Sequence, residues 1–421
     1  MNSPSTEMNE DTILEILSYC PATEIAKFRQ LNKACNKRSY EFYFTTCHLP
    51  RTNSVFGYLI QCSNREFKYR SSFVSGVEEE TPEKTIISLD FLPSKHVKIE
   101  ACDTRNGILL CVDEDKYEGG RRIPDYIVCK PATKEYRIIP NPKTRYFTVV
   151  TGLMVIQSDP FRYKIVRVSE PMKHERRKMK EGCYNLNCEV FDSDSFAWKR
   201  LNDLELPRYE FIRRSDKPVS SYGFLHWLTT ENNVIRFCMR TETWSFFPVP
   251  VGLVSDGSPP LALVRYEGKL GLLVSSRGGE DDDLWVLENS FGKSWINVKD
   301  GKITRSQGSR YVEPIWFVSN DVVSMAGFDR LSLYNMNSNK SKHLHMNKTQ
   351  DFFLSYYHSP KDCFIPFYSN YDTVGLSKDS TVVNNQAKGK RVKPNMLKNR
   401  KKSGKLFSSK SLSFRKIQFY I

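Results

Sequence analysis

Val234-Ile235-Arg236-Phe237-Cys238-Met239-Arg240-Thr241-Glu242-Thr243-Trp244-Ser245-Phe246 is the stretch whose reading decides the fold. Apolar residues lead into a polar turn, and an aromatic residue opens the next extended run. That is the pattern of two strands joined as a hairpin. The same pattern recurs on both sides. Ile127-Val128-Cys129, a Pro-Ala-Thr-Lys turn and Tyr136-Arg137-Ile138 form one copy. Val190-Phe191, Asp-Ser-Asp-Ser and Trp198-Lys199-Arg200-Leu201 form another. Downstream come Leu284-Trp285-Val286-Leu287 with Trp295-Ile296-Asn297-Val298, and then Leu331-Ser332-Leu333-Tyr334, whose copy offers Lys342 in place of the aromatic.

The aromatic positions 136, 198, 244 and 295 are 62, 46 and 51 residues apart. Periods near ~45–50 residues are those of propeller blades, each a small sheet of about four strands. One such sheet cannot bury both faces alone. Stacking blades around an axis buries them, and closing the ring removes exposed edges. Two segments remain outside the repeat, Ser54 to Val74 and Asp351 to Phe367, and they are placed to complete a sixth blade from both ends of the domain. The alternative architecture is a β-sandwich, against which the repeat spacing argues. The expected fold is therefore a large all-β domain over residues 49–378, a β-propeller of about six blades.

Upstream the period changes. Ile13, Leu14, Ile16 and Leu17 cluster on one face of a first helix, which Asn9 caps and Cys20-Pro21 ends. Thr23 is placed to cap a second helix carrying Ile25, Phe28 and Leu31, and a third short turn runs from about Lys33 to Tyr40. This gives a small all-α head over residues 1–48. Three short helices bury little apolar surface among themselves, so the unit needs either a partner protein or the large domain to cover its remaining apolar face.

The head resembles the F-box of plant F-box proteins. The residues that carry the likeness are Glu10-Asp11-Thr12-Ile13-Leu14-Glu15-Ile16-Leu17-Ser18, Pro21, Phe28-Arg29, Lys33 and Cys47-His48-Leu49. The sequence departs from the family pattern at Met8-Asn9 (for Leu-Pro), Cys20 (for leucine), Asn32 (for cysteine) and Cys35 (for tryptophan). The body resembles the F-box associated interaction domain. Its marks are Asn106 to Cys111, Cys129 to Glu135, Tyr163 to Val166, Gly223 to Leu228, Gly268 to Leu272, Leu284 to Leu287 and Ser319 to Val323, in the family's order. Lys130 stands where that family usually has asparagine, a change expected to alter only a turn. The resemblance spans roughly residues 8 to 375.

It implies a kelch-like propeller and a substrate-recognition subunit of a Skp–cullin–F-box ubiquitin ligase. Such a subunit docks on a Skp-type adaptor, reaches a cullin scaffold through it, and captures a protein substrate with the β domain. The implied docking residues are Ile13, Leu14, Ile16, Leu17, Pro21, Ile25, Phe28, Leu31 and Cys35. No catalytic residue and no cofactor is implied; the chemistry resides in the recruited conjugating enzyme.

Charge is unevenly distributed along the chain. The 421 residues carry a formal net charge of +15, yet no Asp or Glu follows Asp379. Twelve Lys and Arg lie in the tail, leaving only +3 for everything before it. Residues 379–421 thus read as a basic, mostly disordered tail. Lys388, Lys390, Arg391, Lys398, Arg400, Lys401 and Lys402 form two clusters with the spacing of a two-part nuclear import signal. Action in the nucleus, the cytoplasm or both is the expectation, and nonspecific nucleic-acid contact is the weaker alternative. Eleven cysteines without paired spacing point to free thiols in a reducing compartment. The polar, acidic start is unlike a secretory signal, and no apolar run approaches the ~20 residues of a membrane span.

Catalytic signals are weak throughout. Gly292-Lys293-Ser294 resembles the end of a phosphate loop, but Leu287 stands where its first glycine belongs. His226 beside Trp227 reads as a packed core histidine. Glu280-Asp281-Asp282-Asp283 and Glu78-Glu79-Glu80 read as solvated loops. Asp113 to Asp125 and Glu170 to Tyr184 are the candidate recognition loops, the second carrying Lys173, Arg176, Arg177, Lys178 and Lys180.

Overall fold

A computed structural model describes residues 9–376, except 77–86, 172–182, 251–260, 305–311, 345–362 and several stretches of four residues or fewer. The basic clusters between Lys388 and Lys402 lie outside the described residues, as do Pro21 and most of the 170–184 loop.

Six antiparallel sheets make a six-bladed β-propeller. Blade 1 is Lys98–Asp103, Ile108–Asp113, Asp125–Lys130 and Glu135–Ile139. Blade 2 is Thr148–Gln157, Arg162–Ser169, Cys183–Asp192 and Ala197–Arg200, with Leu204–Pro207 added beside Cys183–Leu186. Blade 3 is Val219–Ser221, Phe224–Leu228, Asn233–Cys238 and Thr243–Pro248. Blade 4 is Leu261–Tyr266, Lys269–Ser275, Asp281–Leu287 and Trp295–Asn297, with Ile303–Thr304 at its edge. Blade 5 is Glu313–Phe317, Val322–Ala326, Leu331–Asn335 and Lys340–Leu344. Blade 6 joins both ends: the late strand Phe364–Asn370 pairs with Ser54–Ser63, which pairs with Tyr69–Ser75.

The hairpin repeat read from the sequence is the third and fourth strand of blades 1 to 5. Four of its turns, in blades 1, 2, 3 and 5, end on a residue with positive φ just before the fourth strand: Lys134, Phe196, Glu242 and Asn339. These turns therefore hold the left-handed conformation without glycine, which is why no glycine signature marks them.

Continuous apolar runs follow from burial on both faces. Along Ile108-Leu109-Leu110-Cys111-Val112, Leu109 and Cys111 pack toward blade 6, while Ile108, Leu110 and Val112 pack toward blade 2. Similar clusters fill the other interfaces, so a core lies between every pair of neighbouring blades.

Four short helices precede the ring: α1 (Glu10–Leu17), α2 (Ala22–Leu31), α3 (Lys33–Arg38) and α4 (Phe42–Arg51). Asn9 caps α1, its side chain accepting from the Asp11 N–H at 3.3 Å. The fourth helix is a correction to the sequence reading, and it carries helix past the boundary at residue 48. Phe42-Tyr43-Phe44-Thr45-Thr46 is rich in aromatic and β-branched residues, which favour strand. Tertiary contacts override that preference. Phe44 is buried with Leu14, Leu17 and Ile25, and the His48 ring stacks on Phe44 and meets the Cys20 carbonyl at 3.0 Å. Arg51 ties the end of α4 to α1 through Glu15 at 2.9 Å and through the Ser18 hydroxyl.

Three further expectations change. Lys130 is no mere turn residue: it is 1% exposed, and its Nζ donates to Asn370 Oδ1 at 2.7 Å and to the Asp372 carbonyl at 2.5 Å. It clasps blade 1 to the strand that closes the ring. The acidic run after residue 280 is strand, with Asp282 fully buried and accepting from Ser275 Oγ at 2.5 Å. Asp281 pairs with Lys302 at 2.7 Å. Within the 113–125 loop, Tyr117–Glu118 and Arg121–Arg122 pair as a small hairpin.

Candidate functional site

The predicted docking residues divide into two groups. Leu14, Leu17 and Ile25 are buried, at 8%, 1% and 3% exposure, in the head's own core, with Ile13 packed at its edge. Ile16 and Phe28 are exposed, at 51% and 41%. Tyr19, which the sequence reading did not select, is 61% exposed and lies one turn beyond Ile16, with the Arg51 guanidinium 4.5 Å from its ring centroid. The cause of the division is α4: inserting Phe44 against the inner sides of α1 and α2 uses up one apolar side and leaves the other uncovered. Leu31 and Cys35 fall in α2 and α3, and their side chains are not among those described; Pro21 lies outside the described residues.

The head sits against one mouth of the propeller. Each blade is an antiparallel meander, so the turns joining first to second strands all lie on one face. The head meets these turns: the Asn320 N–H donates to the Tyr40 carbonyl at 3.0 Å, and the Tyr40 ring lies against Gly268. Gly268 has φ +77°, which disfavours a larger residue, and a Cβ there would stand 2.8 Å from the Tyr40 hydroxyl, so the Tyr40 tip would have to shift. Arg29 holds Tyr40 in place, its Nε donating to Ser39 Oγ at 2.8 Å and its guanidinium stacking 3.8 Å from the Tyr40 ring centroid. Leu49, at the end of α4, is buried with Phe56 and Tyr58 of blade 6.

The opposite face carries an aromatic patch that the sequence reading missed. Thr148 pairs with Ser169, so the start of the first strand of blade 2 and the end of its second lie together, away from the head. There Phe147, Tyr209 and Phe211 are 64%, 67% and 43% exposed. The Phe211 ring meets Tyr184 edge-on at 5.1 Å, and the Arg214 guanidinium lies 5.1 Å from the Phe147 ring centroid. Arg214 pairs with Glu170, which also accepts from the Tyr184 hydroxyl at 3.1 Å. Residues 170 and 184 are the two ends of the basic loop singled out in the sequence; its basic residues lie outside the described residues. Single aromatics in irregular segments carry no periodic signal, which is why the patch was illegible.

His226 is fully buried in blade 3, its Nδ1 3.0 Å from the Val219 carbonyl, and burial pushes its pKa down to about 4. It is neutral and enclosed, with no access to a substrate. Among the described residues, no group of three or more His, Cys, Asp and Glu is placed to hold a metal ion.

A profile of the F-box associated beta propeller domain matches residues 60–371. The chain belongs to that family. The F-box protein At5g41720 of Arabidopsis thaliana is 58% identical over 194 residues, which are 46% of this chain and 99% of that relative. The probable F-box protein At5g47300 of the same plant is 25% identical over 296 residues, covering 67% of this chain and 64% of that protein. Among solved structures, the β-propeller domain of Myceliophteria thermophila Cps50 (Swd1) aligns with a TM-score of 0.35 at 10% identity, over 71% of this chain and 90% of that one. The blade count of this F-box associated propeller rests on its own strand pairing.

Proposed function

We propose that this chain is the substrate-recognition subunit of a Skp–cullin–F-box ubiquitin ligase, without chemistry of its own. In this reading helices α1 to α3 are the F-box. Ile16, Tyr19 and Phe28 contact a Skp-type adaptor, and Leu14, Leu17 and Ile25 set the angle between the helices. The observation that carries the proposal is a helical head with one apolar side packed inside and the other left uncovered, attached to a family propeller whose relatives are named F-box proteins. The aromatic patch on the face away from the head is the proposed substrate surface, because exposed aromatic rings flanked by arginine are the residues on which binding energy concentrates. The basic clusters of the tail are consistent with action in the nucleus, the cytoplasm or both.

The test is co-purification with a Skp-type adaptor. The full chain should bind it, and Ile16→Asp with Phe28→Asp should abolish binding while leaving the propeller's circular dichroism melt unchanged. Both substituted side chains are exposed, so the head should keep its fold. Adaptor capture undiminished in that double variant would overturn the docking assignment.

A further inference from the structure

The central channel and the mouth beneath the head share Thr104, Arg105, Arg265 and Trp316 in their linings. The channel cavity is about 150 Å³ and is lined along much of its length by apolar residues such as Val219, Leu225, Trp227 and Ile315. The cavity at the mouth is about 200 Å³, walled on the far side by Arg29, Tyr40 and His48 of the head. We propose that this continuous space binds a small amphiphilic anion, its apolar body in the channel and its charged group held by Arg265 and Arg105.

The case rests on two arginines without a protein acceptor at one cavity, Arg265 partly buried and Arg105 exposed at its mouth. Among the described residues, neither Arg105 nor Arg265 makes a side-chain hydrogen bond or ion pair, although both face the same cavity. Arg29, by contrast, is satisfied by Ser39 Oγ at 2.8 Å, the Ser39 carbonyl at 3.0 Å and the Tyr40 ring. The nearby carboxylates do not hydrogen-bond the side chains of the other two. Asp103 accepts from the Val155 N–H at 2.7 Å, from Asn106 Nδ2 at 3.1 Å and from the Arg105 backbone N–H at 3.2 Å. Burial pushes the Glu267 carboxyl up, against the opposing pull of Lys269, Lys37 and Arg29. Burial, and then the neighbouring Arg105, push Arg265 down to about 9, so the folded protein holds this cation at a cost that a bound anion removes. Glu267 lines the mouth and Asp103 the channel, yet neither carboxylate is ion-paired with Arg105 or Arg265. The head walls one side of the mouth and leaves a space of small-molecule size.

The probe pair is 1-anilinonaphthalene-8-sulfonate and N-phenyl-1-naphthylamine, which share a ring system and differ by the sulfonate. Each is titrated by fluorescence into the full chain, its Arg265→Met and Arg105→Gln variants, and Arg265→Lys. Charge-assisted hydrogen bonding predicts that the sulfonate probe binds about tenfold or more tightly than the neutral one. Each charge-removing variant should shrink that preference by about fivefold or more, with the neutral probe unaffected, and Arg265→Lys should keep part of it. The basic tail attracts any anion, so the variants carry the decision. Equal affinity of the two probes for the native chain, or a preference that survives both Arg265→Met and Arg105→Gln, would overturn the proposal. If Arg265→Met loses its folded circular dichroism signal, Arg105→Gln, altering an exposed side chain, decides alone.

Discussion

Lowering pH should weaken the propeller through the buried ring of His226. The ring is wholly buried, its Nδ1–H donates to the Val219 carbonyl at 3.0 Å, and its Nε2 has no partner among the described residues. Protonation would put a second N–H and a full charge into an apolar site opposite Arg236, its cross-strand neighbour. The folded pKa is therefore depressed, to about 4 from 6.5. A histidine so depressed contributes stability that is present above pH 6.5 and is lost as pH falls toward 4, because the unfolded chain binds the proton first. Integrating between those two values gives a loss of about 2 kcal/mol at pH 5 relative to pH 7.5. The assay is urea unfolding followed by tryptophan fluorescence at half-unit steps from pH 7.5 to 5. His226→Asn keeps a donor near Nδ1 and removes the titration, so its profile should lack that ~2 kcal/mol of the decline while other groups contribute equally to both proteins. Parallel profiles for the two proteins would refute the reasoning.

Two other perturbations test the packing. Arg167 and Glu189 are directly opposed across two strands of blade 2, 3% and 0% exposed, and paired at 2.9 Å. Arg167→Met leaves Glu189 buried with the Thr144 N–H and hydroxyl as its remaining donors, and should cost about 3–5 kcal/mol in urea unfolding; Arg167→Met with Glu189→Met should recover most of it. Lys130→Met leaves the Asn370 amide oxygen and the Asp372 carbonyl without their donor, for a loss of about 2 kcal/mol. Hydrogen exchange should then rise first in Phe364–Asn370, the strand it clasps; uniform exchange across the ring would show that the clasp is not local.

How much of this was legible in the sequence follows from how each element is stabilised. The third and fourth strands of blades 1 to 5 were visible because a tight hairpin writes its turn and its strands into one short stretch. The closing blade was legible only by elimination, since its strands lie some 300 residues apart and nothing local links Ser54 to Asn370. The helix Phe42–Arg51 was not legible: its local propensity favours strand, and the contacts of Phe44 and His48 that decide it are tertiary. Lys130 misled for the same reason, because a lysine after an apolar run reads as a turn until the closing strand arrives beside it. The docking face was half legible. Helical periodicity selects apolar positions, but it cannot say which of them a further helix will cover.

The position of the head gives the two mouths of the ring different work. Ser54 and Asn370 are paired at the edge where α4 enters blade 6, so the short link from α4 keeps the head on the face of the first-to-second strand turns. On that face Tyr40 lies against Gly268, and the cavity behind it is walled by head and channel together. A folded partner or an extended peptide reaching Arg265 from that side would first have to displace the head, breaking the Asn320–Tyr40 hydrogen bond and the Leu49 burial. On the opposite face Phe147, Tyr209 and Phe211 are exposed among the described residues. The proposed macromolecular substrate surface and the proposed anion site thus fall on opposite sides of the ring. Coupling between them, if the anion tightens the ring, would pass through the shared channel wall at Trp227 and Leu225, which pack against blade 2 below the aromatic patch.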